Sequence, residues 1–191
     1  MSFSSDLPSH HCALYKYWDG RRIAGSIPMR SDIDPVDIIR VLPFVGLAER
    51  RDDGYFWRLI GTAIVEHFGK DHTGERYGAH FWPPEFVAAT TATLDAALER
   101  EAPFFDEFIY RSPTGISHAV SRLVCPLRGD GARSPPMVIQ TRIHRYDGNA
   151  ARLPSLPDKA WGELRDRRQI ASLDELERVA SEWWTKSREL T

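Results

Sequence analysis

The sequence predicts an α+β fold: a five-stranded antiparallel sheet covered on one face by helices, with extra N- and C-terminal helices. Three observations predict it. Two short strand-like runs, 44–50 and 55–61, are joined by Asp52, Asp53 and Gly54, the residue types of a hairpin turn. A long amphipathic run opens at Pro83-Pro84 and fails before Ala102-Pro103. Three further strand-like runs, 104–111, 116–127 and 137–146, then follow with turn signals between them. Consecutive strands joined by short turns favour an antiparallel meander, and the helices are left to cover the sheet.

In chain order, residues 1–9 read as frayed. From His10 to Trp18 the apolar Ala13, Leu14, Tyr17 and Trp18 fall on one helical face, and Asp19-Gly20 stops it. Asp34 before Pro35 is an N-cap with proline at the first helical position, so a helix carrying Val36, Ile39 and Val41 is expected up to Pro43. In the second strand Trp57 and Leu59 alternate with Arg58 and Ile60, and the strand stops at Gly61. Ile64, Val65 and Phe68 recur at helical spacing after Thr62, Gly69 marks the stop, and a second turn closes at Thr73-Gly74. On the long helix Phe86, Val87, Thr90, Leu94, Ala97 and Leu98 mark one apolar face.

Ser112-Pro113-Thr114-Gly115 and Arg128-Gly129-Asp130-Gly131 separate the last three strands. In the third of these Met137, Ile139, Thr141 and Ile143 alternate with Val138, Gln140, Arg142 and His144. Residues 147–171, with Pro154, Pro157 and many charges, read as a linker. Ser172 and Glu175 form a capping box for a last helix, whose stripe is Leu173, Leu176, Val179, Ala180 and Trp183. The divisions expected are a helical lead-in over 1–42, the sheet domain over 43–147, and a linker with an amphipathic helix over 148–191.

At 42% hydrophobic and 11% aromatic, 191 residues can bury a core, which argues against wholesale disorder. The 25 basic and 27 acidic residues leave a formal charge of -2, so there is no electrostatic case for nucleic acid. Two distant cysteines, Cys12 and Cys125, suit a reducing compartment. No apolar run approaches the roughly 18 residues of a membrane helix, and the first ten residues lack a signal core. A soluble, cytoplasmic protein is expected.

Ile60-Gly-Thr-Ala-Ile-Val-Glu-His-Phe-Gly69 followed by Asp71-His-Thr-Gly74 resembles the stretch of PAS domains in which a strand leads into a short helix ending in Phe-Gly. Pro83-Pro84-Glu85 resembles the start of the family's long helix. Pro28, Arg30, Asp32, Asp34 and Pro35, and Arg122 with Cys125-Pro126-Leu127, resemble a bacterial subfamily of small, mostly effector-free proteins. The resemblance covers roughly residues 28–147, and His72 departs from it, standing where an apolar residue is expected. It implies a cavity between sheet and helices, often holding a small ligand, and output through flanking helices. No kinase, cyclase or DNA-binding segment follows the sheet, so output is expected through contact with a partner protein.

The aromatic set Trp57, Phe68, Phe81, Trp82, Phe86, Phe108 and Tyr110 is either plain core or the wall of a pocket cut from it. The residues expected around a ligand are these together with Arg58, Leu59, Ile64, Ser121, Leu123, Ile139 and Thr141, with Arg58, Ser121 and Thr141 as polar anchors. A buried arginine there would need an acidic partner such as Glu107 or an anionic ligand. The ligand itself and any cofactor are left unknown. His67, His72 and His80 have no common metal-ligand spacing, and no histidine lies on the long helix for a haem, so no metal is expected. His10-His11-Cys12 reads as part of a mobile N-terminal segment. Neither cysteine sits where a flavin adduct needs one, and Gly115-Ile-Ser-His-Ala119 lacks the second glycine of a nucleophile elbow.

The first reading is therefore a sensory module that binds a small ligand and signals through protein contact, with no catalytic residue. Trp183-Trp184 belongs to an amphipathic helix that either packs back on the sheet or pairs with a second chain, and a homodimer contact is favoured. One alternative is a small α+β enzyme with an acid–base pair drawn from His67, Asp71 and His72 in a cone-shaped pocket. Another is a ligand-free interaction module.

Overall fold

Residues 7–78, 82–111, 117–130, 136–147 and 161–189 are described by a computed structural model. The strands are β1 (Val45–Arg51), β2 (Gly54–Ile60), β3 (Phe104–Arg111), β4 (Ser117–Leu127), β5 (Met137–Asp147) and β6 (Trp161–Gln169). The helices are α1 (Leu7–Asp19), α2 (Thr62–Phe68), α3 (Pro84–Arg100) and α4 (Leu173–Glu189). All pairings in the sheet are antiparallel, in the order β2-β1-β5-β4-β3-β6.

The sheet has six strands where five were expected, because 161–169 form β6 rather than a linker. β6 pairs along the whole of β3, from Phe104↔Gln169 to Arg111↔Trp161. Its sequence, Trp-Gly-Glu-Leu-Arg-Asp-Arg-Arg-Gln, shows no apolar alternation because it is an edge strand, where charge blunts unwanted pairing. Residues 148–160 of the expected linker lie outside the described residues.

Helices cover both faces of the sheet, not one. The inner strands say why: Val120, Arg122 and Val124 of β4 look to one side and Ser121, Leu123, Cys125 and Leu127 to the other, and all are buried. A strand buried on both faces carries no alternation to read. α3 packs on the first face with Leu94 and Ala97 against Ala48, Trp57, Phe104, Val124 and Val138. α1 and α4 pack on the second, where Leu14, Trp18, Leu176, Val179, Ala180 and Trp183 meet Phe105, Leu123, Cys125, Leu127 and Ile139.

The lead-in folds further than expected. α1 begins at Leu7, so His10, His11 and Cys12 belong to a helix and not to a mobile segment. Trp18, fully buried, donates its Nε1–H to the Pro126 carbonyl at 2.8 Å. Asp34 does cap its turn, accepting from the Val36 amide at 2.9 Å. No α-helix follows, only 3-10 turns at Pro35–Ile38 and Leu42–Phe44. Val36, Ile38, Ile39 and Val41 are all β-branched, a weak composition for extending a helix. At α4 Ser172 Oγ accepts from the Glu175 amide at 3.2 Å, and Glu175 reaches back to the Ala171 amide at 2.8 Å. Among the described residues no helix is long and apolar enough to cross a membrane.

Candidate functional site: a pocket on the α2/α3 face

β2 carries a bulge. Leu47 pairs with Leu59 and Ala48 with Trp57, which leaves Arg58 as the extra residue. The bulge turns both Trp57 and Ile60 to the α2/α3 side, while Leu59 packs toward the α1/α4 side. Gly61 then joins β2 to α2, its amide bonded to the Val45 carbonyl at 2.8 Å. α2 ends at Gly69 in the left-handed region (φ 71), where glycine carries no Cβ penalty.

The turn after α2 folds back along the outer edge of β2. Trp57 exchanges backbone bonds with it: its amide donates to Glu75 (3.1 Å) and its carbonyl accepts from Gly74 (2.8 Å). The Tyr77 amide donates to the Tyr55 carbonyl at 2.7 Å. These bonds hold a roof over a pocket lined by Trp57, Ile60, Ile64, Phe68, His72, Glu75, Arg76, Tyr77, Gly78, Trp82 and Arg142. The space open to the centre of a water-sized sphere is about 50 Å³. A haem or flavin needs several times that volume, so the pocket as it stands suits a few atoms only.

Below the pocket, two arginines face each other across the sheet. Arg122 of β4 is the direct cross-strand partner of Arg142 of β5. Arg122 is fully satisfied: it makes a buried two-point ion pair with Asp106, with Nε to Oδ1 at 3.0 Å and Nη2 to Oδ2. It also donates to the Thr90 carbonyl (2.8 Å) and the Tyr77 hydroxyl (2.6 Å). The neighbouring Asp106 and Tyr77 offset its burial and raise its pKa.

Arg142 is placed differently. It is 4% exposed, and its Nη2 donates to the same Tyr77 hydroxyl at 2.8 Å. Its buried Nε–H has no acceptor, and among the described residues no carboxylate pairs with it. Four rings surround it, with Trp57, Phe68 and Tyr77 each at 5.9 Å and Phe108 at 5.8 Å. Such contacts, at the outer limit of cation–π range, are worth about 0.5–1 kcal/mol each, against a desolvation cost of several kcal/mol per ion. Rings and one neutral hydrogen bond offset that cost only in part. A like charge directly opposite adds to it.

Beside this pair lie two neutral histidines. His67 bonds to the Tyr110 hydroxyl, and His118 stacks on the Tyr110 ring with centroids 4.5 Å apart. Burial pulls the His67 pKa down to about 3, helped by His118 and Arg142, and burial pulls His118 to about 4. At the pocket wall His72 Nδ1 and Glu75 Oε2 are 2.7 Å apart, and Lys70 holds Oε1 at 2.6 Å. Those two bonds lower the Glu75 pKa to about 2, so Glu75 is a satisfied carboxylate.

The residues expected around a ligand separate into groups. Trp57, Ile64, Phe68 and Trp82 line the pocket. Phe86, Phe108 and Tyr110 are on the same face but form the buried cluster beneath it. Phe81 lies outside the described residues, as does His80. Leu59, Leu123 and Ile139 pack toward α1 and α4, and Ser121 and Thr141 bond to His11 of α1, so these five belong to the opposite face. Arg58 is bulged out to solvent and pairs with Glu49 at 3.5 Å. Of the alternative acid–base set, His67 bonds to Tyr110, His72 on the pocket wall bonds to Glu75, and exposed Asp71 accepts from the Thr73 amide at 2.9 Å. Arg142, Tyr77 and Arg76 carry no sequence signal that marks them, and the alternation in β5 leaves the choice of face open. Among the described residues no group of three or more metal-ligating side chains comes together.

A family model described as a PAS domain matches residues 7–138. The chain belongs to the PAS domain family. The match begins with α1 and so takes in the helix on the far face, well before Pro28, where the sequence resemblance starts. No curated protein matches the chain.

Proposed function

We propose that this PAS domain is a sensory module in which a small ligand in the Trp57–Arg142 pocket alters how α1 sits on the opposite face, where a partner protein reads the change. One observation carries the reading. Arg142 and Thr141 are consecutive in β5 and point to opposite faces, as do Arg122 and Ser121 in β4. His11 of α1, fully buried, bonds to both hydroxyls, with Nδ1 2.6 Å from Thr141 Oγ1 and Nε2 2.9 Å from Ser121 Oγ. A shift of Arg142 toward a ligand therefore acts on the strand positions that grip α1. The ligand changes the equilibrium only as far as it favours one of the two arrangements.

The helix stripe that suggested a homodimer is used within the chain: Leu176, Val179, Ala180 and Trp183 are buried against α1 and the sheet. That leaves a homodimer contact to another surface, and output through a partner protein is the contact we propose. Calorimetric screening of the full chain with small acids, amides, alcohols and indoles tests the sensor reading, followed by hydrogen exchange with any binder. A binder should slow exchange in α1 around His11, and Thr141→Val should weaken that response without weakening binding. Binding in the pocket that leaves α1 untouched would sink the sensor reading, and no binding at all would favour a ligand-free interaction module.

A further inference from the structure

We infer that the ligand of this pocket is a small monocarboxylate whose carboxylate is held by Arg142, an inference that rests on the pocket being a ligand site. Charges around Tyr77 do not balance. Two guanidinium groups, Arg122 and Arg142, are buried beside one carboxylate, Asp106, and Arg122 takes both of its oxygens. Arginine stays protonated wherever it is buried, so one positive charge is left over. It lies on the pocket wall with its Nε–H unused. The Arg142 guanidinium is a planar fork that matches a carboxylate at two points.

The other groups on the wall narrow the choice. Glu75 is ionised and held by Lys70 and His72, and Arg76 is the second cation on the lining. Arg76 is exposed and screened by water, which leaves buried Arg142 as the lining cation still to be answered and suits one anionic charge. A phosphate dianion would bring a second charge toward Glu75. Volume narrows it again, since about 50 Å³ takes the place of roughly three to five water-sized groups. Trp57, Phe68 and Trp82 offer ring surface to a short apolar body attached to the carboxylate. A ligand of so few atoms binds in roughly the micromolar to millimolar range.

Titration calorimetry of the full chain with sodium propionate, propionamide, sodium phosphate and benzyl alcohol tests this. Propionate should bind at least tenfold more tightly than propionamide, and more tightly than phosphate. Arg142→Gln should remove that preference, Arg142→Lys should keep it at about a tenfold cost in affinity, and Arg58→Gln on the surface should change neither. If Arg142→Gln does not fold by circular dichroism, the acid-to-amide ratio on the unchanged protein decides alone. Equal binding of acid and amide, or tightest binding of phosphate, overturns the monocarboxylate assignment and leaves the pocket as a ligand site. Silence from all four probes overturns the assignment and the pocket reading together.

Discussion

Among the described residues His11 and His118 are buried and His67 is half-buried; burial keeps these three neutral, and each holds something in place. His11 joins α1 to β4 and β5, while His67 and His118 pack with Tyr110 under the pocket. Burial lowers the His11 pKa to about 3, with His10 adding to the effect. The unfolded chain protonates such groups near their ordinary value of about 6.5, whereas the native chain does so only near 3 to 4. Over that window the unfolded state binds more protons, so this stability is complete above about pH 6.5 and is lost as pH falls. His11 alone contributes a slope of up to about 1.4 kcal/mol per pH unit. Urea midpoints should therefore drop between pH 7 and pH 5, and His11→Gln should be less stable at pH 7 but show a flatter profile. An unchanged pH slope in that variant would contradict the assignment of His11 as a buried neutral base.

At the scale of elements, the β2–α2 junction shapes the pocket, and its two glycines are required for different reasons. Gly61 has an ordinary extended backbone (φ -66), but a Cβ there would overlap the carbonyl oxygens of Leu42 and Pro43. Gly69 has open space around it and a left-handed backbone. Gly61→Ala must push the Leu42–Phe44 turn away from α2, at about 1–3 kcal/mol, and move Ile64 and Phe68 with it. Gly69→Ala should cost about 1–2 kcal/mol with no displacement of the wall. Thermal melts would show both losses. Only Gly61→Ala should also weaken binding of a pocket ligand, which makes the pair a test of how the wall is built.

For the whole molecule, the segment beyond the family match is part of the folded unit. β6 covers the edge of β3, its Gly162 lies against the Phe86 ring so closely that no Cβ would fit, and α4 seals the far face over Trp18 and Leu14. Ending the chain after Asp147 would leave β3 an open edge and expose the α1 face, an invitation to association. That truncation should bind a hydrophobic dye and elute as aggregate in size exclusion, while the full chain does neither. Much of the architecture was legible from local chemistry. Proline at 83 and 84, glycine at 69, serine at 172 and the turns between strands act within a few residues of themselves, so most of the element order, the β1-β2 hairpin and the β3-β4-β5 meander follow from the sequence alone, whereas the pairing of β1 with β5 and of β6 with β3 does not. Which side of a strand faces what is settled by partners far along the chain, as when His11 meets Thr141 130 positions later. For that reason only the tertiary structure could move Ser121 and Thr141 to the α1 face, bulge Arg58 out, add a charged edge strand and leave Arg142 buried with an unanswered charge.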